Sequence, residues 1–173
     1  MLKIRAATLD DVAGIARVHV DVWRSAYRGI VPDDILAGLS YERRERQWDV
    51  TLRGTHHQEF VYLAEDENGQ CVGFASGGPA LFDDPVYQGE LFTIYILAAY
   101  QRQGLGYRLF FQIVERLSEQ GLTSMFLWVL ADNPACSFYE SLGGRPVKTG
   151  VYEVGGTKLQ QVGYGWPDIT QLK

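Results

Sequence analysis

The first third of the chain changes from a strand-like to a helical hydrophobic pattern. Residues 2–6 alternate between apolar and polar side chains, and apolar residues then recur at helical spacing over residues 12–23. Thr8-Leu-Asp-Asp11 resembles a capping box at the start of this helix. Two further helix starts are predicted, at residues 32–34 and at Ser40.

From residue 59 onwards, strand-like and helical patterns alternate. Two hairpins are predicted, because Asn68-Gly69 and Gly155-Gly156 each separate two strand-like runs. In chain order, the predicted segments are strands at 59–65, 71–76, 90–96 and 124–130, helices at 104–120 and 133–142, and a final hairpin of strands at 147–154 and 157–164. Gly77-Gly78-Pro79 is expected to end the second of these strands. The order predicts an α/β fold in which a mixed central β-sheet carries helices on both faces.

Composition and charge exclude several classes of protein. The chain has 173 residues, 46% hydrophobic and 21% charged, which predicts a single globular domain over residues 1–173. A net charge of −5 argues against a nucleic-acid partner, whose binding depends on neutralising phosphates. No apolar stretch approaches the roughly 20 residues that span a bilayer, and the first residues lack a signal-peptide pattern. We therefore expect a cytoplasmic protein without a membrane partner, in which Cys71 and Cys136 are reduced thiols.

The most informative local feature is a pair of glycines where a strand leads into a helix. Gly104 and Gly106 lie in the predicted first turn of the helix that follows the strand at 90–96. A helix N-terminus offers unpaired N–H groups, and glycines let an anion approach them, so the segment predicts a phosphate or pyrophosphate site. It lacks the Gly-x-x-x-x-Gly-Lys of a P-loop, and Leu109 replaces the third glycine of a dinucleotide loop. The alternative is an ordinary helix start that contains glycine.

Two motifs resemble the signatures of the GNAT superfamily of acyl-CoA-dependent N-acetyltransferases. The first is Gln101-x-x-Gly104-x-Gly106, which is similar to the acyl-CoA loop of that superfamily. The second is the run from 127 to 144, whose usual Gly-Phe ending is Gly143-Gly144 here. Six of its residues lie at the family spacings: Asn133, Ala135, Phe138, Tyr139, Leu142 and Gly143. The predicted order of elements over residues 2–166 also resembles this fold.

The resemblance implies a splayed pair of strands and a cleft that binds acetyl-CoA, with no metal. In the family, the strand before the loop offers backbone groups to the pantetheine arm, which assigns Ile94, Tyr95 and Ile96 to the cofactor site. The N–H of Ile94 would act like an oxyanion hole. The pyrophosphate would lie on the loop formed by Gln101, Arg102, Gln103, Gly104, Leu105, Gly106 and Tyr107. Asn133 would bind the pantetheine amides, or alternatively cap the helix predicted to start at Pro134.

The resemblance also implies two catalytic residues. Tyr139 would protonate the departing thiolate as a general acid; the alternative is an aromatic packing residue beside Phe138. Glu90 stands at the spacing of a catalytic glutamate in the histone-acetylating branch and would be the general base. The alternatives are a surface carboxylate with no catalytic role and proton transfer through water.

The expected reaction transfers an acetyl group from acetyl-CoA to a primary amine of a small molecule, by direct attack in a ternary complex. Two alternatives are an acetyltransferase acting on a protein or peptide amine and a non-catalytic acyl-CoA sensor. The edges of the hairpin at 147–164 predict a homodimer.

The other notable residues have structural interpretations. His19 is expected in the core or at its rim, and His56-His57 lacks further metal ligands at diagnostic spacing. Four aromatic residues are candidates for the acceptor cleft, with core packing as the alternative: Trp23, Tyr27, Trp48 and Trp166.

Overall fold

The computed structural model describes residues 2–54 and 58–172, so the His56-His57 pair lies outside the described residues. The strands are β1 (Lys3–Ala6), β2 (Phe60–Glu65), β3 (Cys71–Pro79), β4 (Gly89–Ile96), β5 (Met125–Leu130), β6 (Arg145–Val154) and β7 (Thr157–Trp166). The helices are α1 (Val12–Ala26), α2 (Asp33–Ala37), α3 (Tyr41–Leu52), α4 (Leu105–Glu119) and α5 (Cys136–Ser141). The predicted helix and strand order is therefore present throughout the described chain.

The strands form one open mixed sheet in the order β1-β2-β3-β4-β5-β7-β6. All neighbouring strands are antiparallel except β4 and β5, which run parallel. Pairing between β4 and β5 covers only Gly89 with Met125 and Glu90 with Phe126, and the two strands then separate. The predicted α/β fold with a splayed strand pair is confirmed, and the separation leaves a gap in the middle of the sheet.

Hydrophobic clusters cover both faces of the sheet because successive strand residues point to opposite sides. Phe74 of β3 belongs to the cluster formed with α1 and α3, which includes Ile15 and Trp48. Its neighbour Ala75 belongs to the other cluster, where α4 contributes residues such as Leu109. The helices thus lie on both faces, as the sequence predicts.

The helix starts follow the capping signals in the sequence. The backbone N–H of Thr8 donates to Asp11 Oδ2 at 2.8 Å, and one 3-10 turn precedes α1. Ser40 Oγ accepts a hydrogen bond from the backbone N–H of Arg43 at 3.2 Å, which caps α3. These two side-chain caps fix where the N-terminal helices begin.

The prediction that Gly77-Gly78-Pro79 ends β3 is wrong. Both glycines continue the ladder with β4, and the strand runs on to Pro79. A Cβ at Gly77 would lie 2.8 Å from the carbonyl oxygen of Glu90, and one at Gly78 would lie 2.7 Å from that of Gln58. The glycines therefore allow neighbouring backbones to approach closely and do not terminate the strand.

The two predicted hairpins are present, but one turn differs from expectation. Gly155 and Gly156 have φ of 55° and 77° and form the two-residue turn between β6 and β7. The turn at Asn68-Gly69 is longer, because Asp66 N–H bonds to the Gln70 carbonyl at 3.0 Å and only Gly69 has positive φ. The Asp66 carboxylate accepts the N–H groups of Asn68 and Gln70, both at 2.9 Å, and so stabilises the longer turn.

Two smaller expectations concern disulfides and membrane spans. Cys71 and Cys136 are both unpaired, in agreement with the sequence analysis. Across residues 2–54 and 58–172, no helix combines the length and the apolar character that crossing a bilayer requires.

Candidate active site

A cleft of about 1290 Å³ opens where β4 and β5 separate. Residues 92–96 of β4 form one wall, and residues 128–130 of β5 contribute to the opposite wall. The glycine loop before α4 and the turn before α5 border one end, and Trp23 of α1 with Tyr27 directly after that helix borders another. A site for one small ligand usually has about 300–1,000 Å³, so this cleft has room for two reactants.

The register of β4 directs alternate backbone groups into the cleft. Leu97 N–H donates to the Val72 carbonyl at 3.0 Å, on the side of β3. Alternate residues of an antiparallel strand form backbone hydrogen bonds with the same neighbouring strand. The backbone groups of Tyr95 therefore also face β3, whereas those of Ile94 and Ile96 face the cleft. The carbonyl of Ile96 accepts a hydrogen bond from Gln101 Nε2 at 2.9 Å. The N–H groups of Ile94 and Ile96 are therefore the strand donors that face a ligand in the cleft.

The loop before α4 has the geometry of an anion site. Gly104 precedes the helix with φ of 75°, and Arg102 has a φ of 60°, which is uncommon for a residue with a side chain. The first helical hydrogen bond runs from Arg108 N–H to the Gly104 carbonyl at 3.1 Å. The N–H groups of residues 105–107 have no backbone partner in the described chain, and the helix dipole adds positive potential there.

Most of the predicted loop residues line the cleft. These are Gln101, Arg102, Gly104, Gly106 and Tyr107. Two others do not line it: Gln103 Nε2 donates to the Ala99 carbonyl at 3.0 Å, and the Leu105 side chain is buried in the core. Their side chains thus support the loop, and the backbone N–H of Leu105 is the group that belongs to the anion site.

Asn133 combines the two roles that the sequence left open. Its Oδ1 accepts the N–H of Ala135 at 2.9 Å, which caps the turn before α5. It also lines the cleft, and its Nδ2 donates to no other described residue. The helix starts at Cys136 and not at 133, because Asn133 and Pro134 form a separate turn, closed by Cys136 N–H bonding to the Asn133 carbonyl at 3.1 Å.

Tyr139 reaches the cleft from α5. It lines the cleft with only 8% of its surface exposed, and its hydroxyl has no hydrogen-bond partner among the described residues. The ring packs edge-on against Phe138 at a centroid distance of 5.3 Å. Burial raises the pKa of the Tyr139 hydroxyl, so this group stays protonated at neutral pH. Such a hydroxyl can donate a proton to an atom held in the cleft.

Glu90 lies apart from the other predicted site residues. It is 7% exposed, at the end of β4 that is still paired with β5, and it is not among the residues that line the cleft. Its Oε2 accepts the N–H of Leu81 at 3.0 Å, and burial raises the pKa of its carboxyl group. The structure therefore does not bring Glu90 and Tyr139 together on the cleft wall.

The four candidate aromatic residues divide between the cleft and the core. Trp23 and Tyr27 line the cleft, whereas Trp48 and Trp166 are buried. Trp23 Nε1 donates to the Tyr95 hydroxyl at 3.0 Å. The side chain of Tyr95 thus belongs to the aromatic end of the cleft, away from the glycine loop.

His19 is a core residue, as expected. Its Nδ1 accepts a hydrogen bond from Trp48 Nε1 at 3.1 Å. Burial, with a smaller contribution from Arg44, lowers the pKa of His19 to about 3, so the imidazole is neutral at neutral pH. Among residues 2–54 and 58–172, no group of three or more His, Cys, Asp or Glu side chains is arranged to hold a metal ion.

Sequence reasoning missed several residues of the cleft. Trp128 of β5, Tyr152 of β6 and Gln161 of β7 line it as well. The period-2 pattern identifies their strands, but β7 lies between β5 and β6 in the sheet, and this order has no local signal. Only the long-range strand pairing places these three side chains together.

A gap between parallel strands, with backbone donors on one wall and a helix N-terminus at its end, suits a protein that binds a long ligand with a phosphate group. The sequence profile of the Acetyltransferase (GNAT) family matches residues 14–144 of the chain. The chain belongs to this family and is an acetyl-CoA-dependent N-acetyltransferase that acts on an amine acceptor.

Comparisons with individual proteins agree with the family assignment. The chain is 41% identical over 174 residues to the protein described as uncharacterized N-acetyltransferase YuaI of Bacillus subtilis (strain 168), covering 100% of this chain and 97% of the relative. It is 31% identical over 93 residues to the [Ribosomal protein bS18]-alanine N-acetyltransferase of Haemophilus influenzae, covering 54% of this chain and 60% of that protein. The fold is similar to that of the PaiA N-acetyltransferase of Thermoplasma acidophilum in complex with coenzyme A, with a TM-score of 0.72, 17% identity, and coverage of 94% and 98% of the two chains.

Proposed function

We propose that this N-acetyltransferase acetylates a primary amine of a small molecule, by direct attack of the amine on acetyl-CoA in a ternary complex. The observation that carries the proposal is the single continuous cleft, which connects the glycine loop to an aromatic end and has room for both reactants. Acetyl-CoA supplies the acetyl thioester. The amine nitrogen forms a bond to the thioester carbon, the carbon–sulfur bond breaks, and the sulfur leaves as a thiolate that takes up a proton.

Each part of the cleft then has an assigned task. The N–H groups at the start of α4, with Arg102, would hold the pyrophosphate. The Ile94 N–H would stabilise the negative charge that develops on the thioester oxygen, and Asn133 Nδ2 would bind a pantetheine amide carbonyl. The Tyr139 hydroxyl would donate its proton to the departing sulfur and regain one through solvent, as the amine nitrogen releases its second proton on forming the amide.

The general base is proposed to be water. Among the described residues, those that line the cleft include no Asp, Glu or His. Burial lowers the pKa of His19 to about 3, and its Nδ1 already accepts a hydrogen bond from Trp48, so this nitrogen is not available to take a proton from the amine. Glu90 is bonded to Leu81 outside the cleft lining. A proton from the ammonium would therefore pass to solvent, and Glu90 would hold the segment between β3 and β4 in place.

Substitution of Glu90 separates a structural role from a catalytic one. We expect Glu90→Gln to change kcat/KM by a small factor that is the same at every pH from 6 to 10, because the amide oxygen still accepts the Leu81 N–H. A raised pKa in the folded state means that stability falls as pH rises from the ordinary carboxyl pKa through the raised one. Glutamine does not ionise, so the variant avoids this loss of stability, and its Tm at pH 7 should equal or exceed that of the wild type.

The measurements are a pH profile of thiol release and a thermal melt of both proteins. Asp83→Asn, a nearby carboxylate in the segment between β3 and β4, is the matched control. A Glu90→Gln defect that is largest near neutral pH and disappears as the free amine becomes abundant would assign the base to Glu90.

A screen of thiol release tests the proposed function. Acetyl-CoA is incubated with amines, amino acids, polyamines, aminoglycosides and peptides with a free N-terminal alanine, and we expect turnover with a small amine. The peptide arm is included because a relative is named as a ribosomal-protein alanine N-acetyltransferase. Faster turnover of the peptide than of every small amine would support that alternative. Binding of acetyl-CoA with no thiol release from any acceptor would support a sensor.

We also propose that the protein is a homodimer that uses the β6 edge. β6 is an edge strand of ten residues, and its Val151 side chain is 52% exposed. An exposed edge with apolar side chains favours pairing with a second strand. Light scattering at tens of micromolar should give the mass of a dimer, and Val151→Lys should shift the protein towards the monomer. A wild-type monomer mass would contradict the proposal.

A further inference from the structure

The aromatic end of the cleft carries no negative charge. Its walls are formed by four side chains, namely Trp23 of α1, Tyr27 directly after that helix, Tyr95 of β4 and Tyr152 of β6. None of the described residues that line the cleft is Asp or Glu, although the whole chain has a net charge of −5. A cationic acceptor such as a polyamine would meet no carboxylate there, so the acidic residues of the protein do not explain acceptor binding.

Arg44 of α3 lies beside this aromatic end. Its guanidinium carbon is 5.9 Å from the centroid of the Trp23 ring, which lines the cleft, although Arg44 itself is not among the lining residues. The side chain is half-buried. A half-buried guanidinium group thus lies against the Trp23 ring at the edge of the cleft.

The charge of Arg44 has no carboxylate partner within the described residues. Its only side-chain hydrogen bond there is from Nη1 to the neutral Gln47 Oε1 at 2.8 Å. By contrast, Arg5, Arg53 and Arg116 pair with carboxylates at 2.7, 2.7 and 2.9 Å. Burial lowers the pKa of Arg44, which reflects the cost of removing this cation from water. An anion that binds here would offset that cost.

We propose that Arg44 binds a carboxylate of the acceptor, which makes the acceptor a small amine of amino-acid size that also carries a carboxylate group. This inference rests on the proposed function, because it assigns the acceptor that the same cleft would acetylate. A guanidinium fork matches the geometry of a carboxylate in two parallel hydrogen bonds. The Trp23 ring orients the guanidinium, and the remaining aromatic side chains would contact the apolar part of the acceptor.

The test measures thiol release with matched acceptors. Each of a set of α-amino acids is compared with its primary amide and with the amine that lacks the carboxyl group, in the wild type and in Arg44→Gln, Arg44→Lys and Arg43→Gln. Arg43 is the control because it is the exposed neighbour of Arg44 on the same helix. Thermal melts of the variants confirm that each is folded.

In the wild type, at least one amino acid should have a kcat/KM well above that of its amide. Arg44→Gln should lower kcat/KM for the acid by roughly 10- to 100-fold, mainly through KM, since a hydrogen bond to a charged group is lost. The amide should be nearly unaffected, Arg44→Lys should restore part of the preference, and Arg43→Gln should resemble the wild type.

Two results would overturn the inference, and they are distinguishable. Turnover of small amines with equal kcat/KM for acids and amides, or an equal effect of Arg44→Gln on both, would reject the carboxylate site and keep the proposed function. Turnover confined to peptides, or no thiol release from any acceptor, would reject both the carboxylate site and the proposed function.

Discussion

Tyr139→Phe is expected to lower kcat by about 10²- to 10⁴-fold and to leave the affinity for acetyl-CoA nearly unchanged. The substitution removes one hydroxyl that faces the cleft and keeps the ring that packs against Phe138. No hydrogen bond joins this hydroxyl to another described residue, so its loss breaks no structural hydrogen bond. Without this donor, the thiolate must leave unprotonated or take a proton from water.

Tyr164→Phe provides a matched control. Tyr164 packs beside Tyr139 at a ring distance of 6.3 Å, but its hydroxyl donates to Glu140 at 2.7 Å and it is not among the residues that line the cleft. This variant should lose about 1 kcal/mol of stability and keep its kcat. Steady-state thiol release measures kcat, and the rise in Tm on adding acetyl-CoA measures the affinity for acetyl-CoA. Wild-type kcat in Tyr139→Phe would remove this residue from the mechanism and assign protonation to water.

The parts of the fold that follow from the sequence are those with local causes. The capping box at Thr8 and the cap at Ser40 place helix starts correctly, because each involves residues only three positions apart. The turn at Asn68-Gly69 was predicted incorrectly because the Asp66 carboxylate competes for the backbone N–H groups and favours a longer turn. The extension of β3 through Gly77 depends on contacts with β4, which local patterns do not contain.

The site divides in the same way. Gly104, Gly106, Asn133 and Tyr139 lie in short motifs, and the structure places all four on one cleft. Glu90 was selected by its spacing from Gly104 in the family resemblance, which does not specify where pairing with β5 ends or whether the carboxylate is already bonded. Tyr152 and Gln161 come from two separate strands, and the insertion of β7 beside β5 brings them to the cleft, while α3 places Arg44 against Trp23 at its edge. The spacing of residues along the sequence does not predict which elements pack together at this end of the cleft.

Acetyl-CoA is expected to raise the Tm of the wild type, and Gly104→Glu should abolish this rise. A ligand that binds only the native state contributes about 2.7 kcal/mol at a concentration of 100 Kd. A Cβ at Gly104 has no atom within 4 Å, so a longer side chain has open space next to the first-turn N–H groups of α4. The carboxylate of glutamate would occupy these donors itself and repel a pyrophosphate.

Backbone strain has to be separated from this charge effect. Gly104 has a φ of 75°, so any side chain there costs about 1–2 kcal/mol in the left-handed conformation and lowers the Tm of the unliganded protein. Gly104→Ala and Gly104→Gln carry the same strain, and glutamine also has the size of glutamate without its charge. We expect alanine to keep most of the acetyl-CoA shift, glutamine to keep part of it, and glutamate to lose it.

NAD and ATP should stabilise the wild type much less than acetyl-CoA does, because neither carries a pantetheine arm to contact β4 and Asn133. An undiminished shift in Gly104→Glu would move the pyrophosphate site away from the start of α4, and equal stabilisation by ATP would show that the cleft does not recognise pantetheine.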